Sequence, residues 1–296
     1  MDFKKSLKER KLLFEQSLKN FMPNEEGLCK TLYESMNYSL KAGGKRLRPI
    51  LLLETYKLFG GEDEESIIPF AAAIEMIHTY SLIHDDLPSM DDDDLRRGKP
   101  TNHKVYGEGI AVLAGDGLLN EAFEVMIKAS LKLKDKQSAL EAMNHICEGS
   151  GTKGMIAGQV VDLESENKDI NIDILKYIHE NKTGKLILKP MLAGAVLAGA
   201  SEKEIDNVKT YAKNIGQAFQ VMDDILDIVG DQDKLGKNIG SDEENNKATY
   251  PSLFGLEKSK EIAYELIKDA KLSLKELNKD DEFLLNLADY IVNRDY

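Results

Sequence analysis

The stretch SIIPFAAAIEMIHTYSLIHDDLPSMDDDD, residues 66–94, decides the fold class. Its first two thirds consist of strong helix formers, with apolar residues at the three- and four-residue spacing of a buried α-helix. Pro88 cannot donate the backbone hydrogen bond that would continue this helix, so a helix is predicted over residues 66–86. The same pattern recurs along nearly the whole chain, and the alternating runs typical of β-strands are scarce. The sequence therefore predicts an all-α protein.

Helices are predicted in ten segments of the chain. Their ranges are 3–20, 24–41, 48–60, 66–86, 109–133, 136–160, 171–199, 203–229, 258–278 and 281–293. The segments 60–61, 98–100 and 231–246 contain turn or helix-breaking residues and are predicted to be loops. No shift of composition, repeat of about 20–50 residues or low-complexity linker divides the chain. We expect residues 1–296 to form a single helical domain.

Charge and composition exclude several classes of protein. The formal net charge of -13 opposes binding to a nucleic-acid backbone, and no basic arm offsets it. Cys29 and Cys147 lack the spacing of a disulfide framework or a thiolate zinc site. The N-terminus has no uninterrupted apolar core like that of a signal peptide, and residues 186–200, broken by Lys189 and Pro190, are shorter than the roughly 20 residues that span a bilayer. We expect a cytoplasmic protein that does not bind nucleic acid and has no membrane span.

Six aspartates crowd the end of the predicted helix 66–86. They are Asp85, Asp86 and the run 91–94. A helix C-terminus is already electronegative, so ionised carboxylates there are unfavourable unless cations compensate. A solvated acidic loop is an equally good explanation of this cluster when it is considered alone.

A second aspartate cluster lies within the predicted helix 203–229. Its members are Asp223, Asp224 and Asp227, with Gln220 one turn earlier. Residues three or four apart share a helix face, so these carboxylates could converge on one ion. Mg²⁺ is typically held by one or two carboxylates together with substrate phosphates. The two clusters together predict a diphosphate bridged by Mg²⁺, with Mn²⁺ as a substitute.

An anionic substrate also needs direct contacts with cations. Four basic groups stand beside the glycines and aspartates: Lys45 and Arg48 in the segment GGKRLRP (43–49), Arg96 with Arg97, Lys182 in the segment KTGK (182–185), and Lys237. The first pair lies at a loop-to-helix junction, where backbone amides would assist anion binding. Thr183 and Gly184 would interrupt a regular helix and expose a carbonyl and a hydroxyl. Each group alone could be a solvated basic loop.

Other polar residues are weaker candidates, and other chemistries find no support. His78 lies seven residues, or two helical turns, before Asp85 and is therefore expected deeper in the same cleft. Gln159 and Asp162 are polar residues in an apolar helix and are expected to support the site rather than contact substrate directly. There is no phosphate-binding loop of the Gly-x-x-x-x-Gly-Lys-Ser/Thr type, no nucleophile elbow and no zinc motif.

These motifs, taken together, resemble a known family. They are GGKRLRP at 43–49, DDxxxxD at 85–91, RRGKPT at 96–101, LAGD at 113–116, GQVVDL at 158–163, KTG at 182–184, QVMDDILD at 220–227, TYP at 249–251 and ADYIV at 288–292. The chain resembles the short-chain trans-isoprenyl diphosphate synthases, closest to the bacterial farnesyl diphosphate synthase branch. The resemblance implies the isoprenoid synthase fold, a bundle of antiparallel helices around a central active-site cavity.

The resemblance also implies a role for each matching residue. A magnesium cluster would be surrounded by Asp85, Asp86, Asp91, Asp223, Asp224 and Asp227, with Asp85, Asp91 and Asp223 as direct ligands. The allylic diphosphate (dimethylallyl or geranyl) would be held by Arg96, Lys182 and Lys237. Isopentenyl diphosphate would be held by Lys45, Arg48, His78 and Arg97. Thr183 and Gln220 would face the carbon skeleton and the developing positive charge.

Product length and assembly are separate expectations from the resemblance. Tyr80, roughly 7 to 8 Å down the helix axis from Asp85 at ~1.5 Å per residue, is expected to form the floor that stops elongation at fifteen carbons, and Ser81 is permissive. A twenty-carbon geranylgeranyl product remains the alternative. A terpene cyclase fits less well because it needs no second diphosphate site, and an acidic helical scaffold would leave the basic groups unexplained. The family implies a homodimer.

Overall fold

The computed structural model describes residues 2–229, 248–279 and 282–294. The described residues form fourteen α-helices: α1 (Phe3–Leu18), α2 (Lys30–Leu40), α3 (Leu47–Leu58), α4 (Glu64–Asp85), α5 (Asn102–Tyr106), α6 (Glu108–Ser130), α7 (Lys136–Ser150), α8 (Met155–Ser165), α9 (Ile172–Ile178), α10 (Lys185–Leu197), α11 (Glu202–Val229), α12 (Tyr250–Phe254), α13 (Leu256–Lys275) and α14 (Glu282–Asn293). A 3₁₀ turn (Lys19–Phe21), a π-helical segment (His179–Gly184) and a hairpin of β1 (Leu95–Arg96) and β2 (Lys99–Pro100) complete the described elements. The prediction of an all-α fold is confirmed.

Three predicted helices differ from the observed ones by more than three residues at an end or are divided in two. The helix predicted over 24–41 begins only at Lys30, because Gly27 adopts a φ of +76° that cannot continue a helix. The helix predicted over 136–160 is divided into α7 and α8 at residues 151–154, and the helix predicted over 171–199 is divided by the π-helical segment. The hairpin and the short helices α5 and α12 were not predicted, because segments of two to five residues carry too little periodicity.

Helix α4 is the centre of the first of two hydrophobic clusters. Phe70, Ile74, Met76 and Ile77 have no solvent exposure, and the helix packs against α3 and α6. Each such side chain contributes roughly 1.5–3 kcal/mol when fully buried. By length and composition α4 could cross a membrane, but 67% of its most apolar window is buried inside the bundle. Such burial is typical of the core helix of a helical bundle.

The second hydrophobic cluster joins α11, α13 and α14. The buried Tyr211 hydroxyl donates to the Leu284 carbonyl at 2.7 Å and ties α11 to α14. Helices α3 and α10 contribute side chains to both clusters and therefore connect them. Their close approach depends on Gly194, where an added Cβ would lie 2.3 Å from the Leu52 carbonyl oxygen. The C-terminal half of α4 and that of α11 consequently border one central cavity.

Candidate active site

A cavity of about 670 Å³ opens between α4, α6, α8, α11 and the π-helical segment. The predicted site residues in its wall are Arg48, His78, Tyr80, Ser81, Asp85, Arg96, Lys182, Thr183, Gln220 and Asp223. The rest of the wall is largely apolar and includes Leu119, Ile156, Val160, Leu163, Leu186 and Phe219. Charged groups and an apolar lining therefore meet in one cavity, as an amphiphilic ligand with an anionic head requires.

A smaller cavity of about 180 Å³ adjoins the first. Both are lined by Lys182, Thr183, Gln220 and Asp223, while Asp162, His179 and Asp224 line only the smaller one. Helix α8 and the π-helical segment pack so tightly that a Cβ on Gly158 would lie 2.1 Å from the Lys182 backbone nitrogen. The predicted interruption of the helix at Thr183 and Gly184 is thus confirmed as a π-helical segment.

The first aspartate cluster folds back on the end of α4. The Asp91 backbone N–H donates to the Asp85 carbonyl at 2.9 Å. Burial raises the pKa of the Asp85 carboxyl to about 6, and the neighbouring charges of Asp91 and Asp86 add to this, whereas Lys182 and Arg96 oppose it. A buried carboxylate with such neighbours favours a bound cation.

Asp86 is paired with Arg96, which belongs to the cavity wall. The Arg96 Nε donates to Asp86 Oδ1 at 2.8 Å, and Arg96 Nη2 donates to Asp93 Oδ2 at 2.9 Å. Burial opposes the charge on Arg96, but the hydrogen bond and the charge of Asp86 outweigh burial and raise the pKa of the guanidinium. Asp86 therefore holds a cationic side chain in the cavity wall, and its role as a metal ligand stays a prediction.

Neighbouring carboxylates of the second cluster serve different partners. Asp223 lines the larger cavity and forms an ion pair with Arg294, which also donates to the Phe219 carbonyl at 2.9 Å. Asp224 accepts from the Tyr250 backbone N–H at 2.9 Å, and its other oxygen lies 3.7 Å from His179 Nε2. Burial lowers the pKa of His179 to about 4, so this imidazole is neutral at pH 7. Asp224 thereby anchors the start of α12.

The donor atoms fit magnesium only if a ligand supplies further oxygens. Within the described ranges, no three His, Cys, Asp or Glu side chains form a ready metal site. Asp85 and Asp223 nevertheless line the same cavity, and carboxylate oxygens are the donors that Mg²⁺ prefers. Mg²⁺ is commonly held by one or two carboxylates plus substrate phosphates, which matches this arrangement. The roles of the six aspartates as metal ligands, with Asp227 buried on α11, stay predictions.

Arg48 and His78 form a buried polar pair in the cavity wall. Arg48 Nη1 donates to His78 Nε2 at 3.2 Å. Burial lowers the pKa of Arg48 to about 10, so the guanidinium remains charged at pH 7. Burial also lowers the pKa of His78 well below its usual value, and four nearby arginines add to this. The neutral imidazole accepts from Arg48 and cannot supply a positive charge of its own.

The segment GGKRLRP meets the hairpin through its glycines. Gly44 has a φ of +114°, and a Cβ there would lie 2.5 Å from the Arg97 Cζ atom. The Arg97 guanidinium fills this space and donates to the Gly43 carbonyl. Arg97 and Lys45 lie beside the larger cavity rather than in its wall. Lys237, the fourth of the predicted basic groups, lies outside the described residues.

Lys182 is held in place by a carboxylate of α8. Its Nζ atom lies 2.6 Å from Asp162 Oδ2. Burial opposes the ammonium charge, but Asp162 and Asp85 outweigh it and raise the pKa of Lys182. The supporting role predicted for Asp162 therefore has a clear geometric basis.

The chain matches the polyprenyl synthetase family over residues 29–282. It belongs to that family. It is 48% identical over 266 residues to a farnesyl diphosphate synthase of Bacillus subtilis, with 90% of each chain covered. It is 47% identical over 289 residues to a geranylgeranyl diphosphate synthase of Cyanophora paradoxa, with 97% and 95% covered. The crystal structure of an FPP/GFPP synthase of Zymomonas mobilis has a TM-score of 0.86 and 35% identity, with 98% and 99% covered.

Sequence reasoning missed two arginines of this polyprenyl synthetase. Arg46 lies between the predicted ligands Lys45 and Arg48 but is buried, and it pairs with Glu75 at 2.5 Å. Arg294 lies at the end of α14, far along the chain from its partner Asp223. Neither these long-range pairs nor the left-handed φ of Arg46, +51°, can be predicted from the local sequence. No local motif marks either residue as structural.

Proposed function

We propose that this polyprenyl synthetase is a trans-prenyltransferase that couples dimethylallyl or geranyl diphosphate to isopentenyl diphosphate and releases farnesyl diphosphate. The observation that carries the proposal is a single cavity in which Asp85 and Asp223 share an apolar lining with Lys182 and Arg96. Carboxylates do not bind a diphosphate directly, so the aspartates require an intervening cation. The two basic residues provide direct contacts to the anionic head.

Charge neutralisation is the first task of the site. As the carbon–oxygen bond of the allylic substrate breaks, its electron pair leaves with the diphosphate, and Lys182 and Arg96 stabilise that negative charge. Asp85, Asp91 and Asp223 would hold Mg²⁺, which would supply additional positive charge for the departing diphosphate. Asp162 and Asp86 keep the two basic side chains oriented before the reaction begins.

Carbon–carbon bond formation needs no strong base from the protein. The double bond of isopentenyl diphosphate donates its electron pair to the allylic cation, and the proton then lost passes to the departing diphosphate. Arg48, Lys45 and Arg97 hold the diphosphate of isopentenyl diphosphate, and the neutral His78 orients Arg48. The apolar wall excludes water, which would otherwise capture the cation.

The product formed by the purified chain tests the proposal. With Mg²⁺, labelled isopentenyl diphosphate and either dimethylallyl or geranyl diphosphate, we expect farnesyl diphosphate as the main product, identified by chromatography of the dephosphorylated alcohols. A main product of twenty carbons would support the proposed reaction but contradict the fifteen-carbon product. It would agree with the similarity to the Cyanophora enzyme. Absence of any condensation would refute the proposal.

Tyr80 supports a fifteen-carbon product because its ring is fixed in the cavity wall. The ring stands edge-on to His84 with centroids 5.6 Å apart, and His84 Nε2 lies 3.1 Å from the Val112 carbonyl oxygen. Gly115 leaves room for that imidazole, since a Cβ there would lie 2.1 Å from His84 Nε2. Tyr80 is thus held in place by its contact with His84, and its ring can stop a growing chain.

Substitution of Tyr80 by alanine is expected to shift the main product from fifteen to twenty or more carbons. The change removes the ring that closes the cavity while leaving the charged end of the site intact. Product distribution at equal enzyme concentration is the measurement. Tyr264→Ala, an exposed position on α13, is the matched control and should leave the distribution unchanged. An unchanged distribution for Tyr80→Ala would place the floor elsewhere.

We further propose that residues 1–296 form one domain that works in the cytoplasm as a homodimer. Helices α3 and α10 connect the two hydrophobic clusters, which supports one domain. Helix α6 exposes Leu113 and Ile127, fourteen residues and about four turns apart, on one face. Exposed apolar side chains on one face favour a contact with a second copy of the chain. Light scattering on the full chain should give twice the mass of one chain.

A further inference from the structure

Gln159 carries a buried amide whose polar atoms have no partner. Neither Oε1 nor Nε2 is hydrogen-bonded to any described residue, although the side chain belongs to the wall of the larger cavity. Ile156 and Leu163, about one turn before and after it on α8, line the same wall. A buried amide without partners destabilises the fold, because its polar atoms have lost their hydrogen bonds to water and gained none in exchange.

Helix α8 is held by close contacts on both sides of the amide. Gly158 is packed against the backbone of Lys182, and Asp162 is bonded to the same lysine at 2.6 Å. Gln159 therefore lies between two fixed points, and only its side-chain torsions are free to turn. The cavity neighbours of the amide on α8 are apolar, and no described polar residue of the cavity is hydrogen-bonded to it, so the remaining partner is a bound molecule.

The chemistry of the bound molecule indicates which of its parts would contact the Gln159 amide. The diphosphate already has cationic contacts from Lys182 and Arg96, whereas the apolar wall beside Gln159 suits the hydrocarbon part of the allylic substrate. That part has no polar atom, but it becomes positively charged when the carbon–oxygen bond breaks. An amide oxygen carries partial negative charge and stabilises a cation in a water-free cavity.

We propose that Gln159 turns its amide oxygen towards the allylic cation and stabilises it from the α8 wall of the cavity that Gln220 on α11 also lines. The inference rests on the proposed prenyl transfer and adds a catalytic residue to it. The two amides line the same cavity, and an amide oxygen, unlike a carboxylate oxygen, stabilises the cation without forming an ester with it. Gln159 thereby contributes to the transition state and little to binding of the uncharged hydrocarbon.

Two stable analogues of geranyl diphosphate separate this role from a structural one. In the first, an ammonium nitrogen replaces carbon 3 and imitates the cation; in the second, a bridging sulfur keeps the hydrocarbon neutral and unreactive. Their dissociation constants are measured by calorimetry with Mg²⁺ on the full chain. For Gln159→Leu we expect the ammonium analogue to bind about 10-fold more weakly, equivalent to about 1.4 kcal/mol, and the sulfur analogue to change less than about 3-fold.

Two further variants complete the test. Gln159→Glu, which keeps an oxygen at this position, should bind the ammonium analogue at least as tightly as the unaltered chain. Gln137→Leu, at an exposed position on α7, should change neither constant. If Gln159→Leu weakens the binding of both analogues equally, or of neither, and the unaltered chain still condenses the two diphosphates, the role of Gln159 is refuted. Failure of the unaltered chain to condense the two diphosphates would instead refute the proposed function.

Discussion

Asp85→Asn should lower turnover at least about 10³-fold, equivalent to roughly 4 kcal/mol of lost transition-state stabilisation. Asparagine has nearly the same shape as aspartate but lacks the negative charge that recruits Mg²⁺ to the cavity. The measurement is kcat at saturating substrates and Mg²⁺. Asp169→Asn, at an exposed position, is the matched control and should retain normal turnover. Near-normal turnover of Asp85→Asn at saturating Mg²⁺ would remove Asp85 from the set of metal ligands.

The same substitution should stabilise the metal-free protein. Because burial raises the pKa of Asp85 to about 6, above its ordinary value near 3.8, the folded state binds a proton here more readily than the unfolded state. The ionised carboxylate therefore destabilises the fold above about pH 6, and this penalty disappears as the pH falls towards 4. A shift of about two pKa units corresponds to at most about 3 kcal/mol, so we expect about 1–3 kcal/mol for this partly exposed group.

Thermal unfolding in a chelator distinguishes this effect from general stabilisation. Asp85→Asn should have the higher melting temperature at pH 8, and the difference should shrink at pH 5. A melting temperature below that of the unaltered chain at pH 8 would show that Asp85 is a structural carboxylate. Lower turnover combined with higher stability is the behaviour of a group retained for function at the expense of the fold.

Local sequence rules predicted the parts of the fold that depend on short-range chemistry. Pro88 ends the hydrogen bonding of α4, whose predicted end lies one residue beyond the observed one. Thr183 and Gly184 lie in the segment that is π-helical. The apolar spacing that predicts a helix also predicts its buried face, as α4 shows. No single motif predicts that most of the charged residues line one cavity. That prediction rests on the motifs taken together.

The remaining features depend on partners that are distant in sequence. Asp86 and Asp224 look like equal members of their clusters, yet one holds Arg96 and the other anchors the backbone of Tyr250. Adjacent residues on a helix point about 100° apart, so two neighbouring aspartates face different surroundings. The partners on those two sides are set by tertiary packing, which spacing within one helix does not encode.

Arg46 illustrates how a buried charge can position a functional loop. It pairs with Glu75 on α4 at 2.5 Å and with Glu15 on α1 at 3.2 Å, and it donates to the Leu40 carbonyl at 2.6 Å. Three helices thus meet at the residue between Lys45 and Arg48. The left-handed φ of +51° at Arg46 turns the chain into α3 at this point. The pair therefore orients the segment that is proposed to hold isopentenyl diphosphate.

Glu75→Ala should destabilise the protein by about 3–5 kcal/mol, because it leaves the guanidinium of Arg46 buried without its main counter-charge. Arg46 is 4% exposed and Glu75 is 1% exposed, so water cannot replace the lost partner. Urea unfolding followed by circular dichroism measures the change in free energy. Binding of isopentenyl diphosphate, measured by calorimetry with the unreactive sulfur analogue present, should weaken about 10-fold because Lys45 and Arg48 lose their support.

Two comparisons separate loss of this buried ion pair from loss of any ion pair. Glu261→Ala removes one partner of an exposed pair with Lys258 and should change stability by less than about 1 kcal/mol. The double variant Arg46→Met with Glu75→Leu removes both buried charges and should recover most of the stability lost in Glu75→Ala. It should not recover binding of isopentenyl diphosphate, because a methionine side chain has no donor for the Leu40 carbonyl. A loss below about 1 kcal/mol for Glu75→Ala would mean that the pair does not hold the loop.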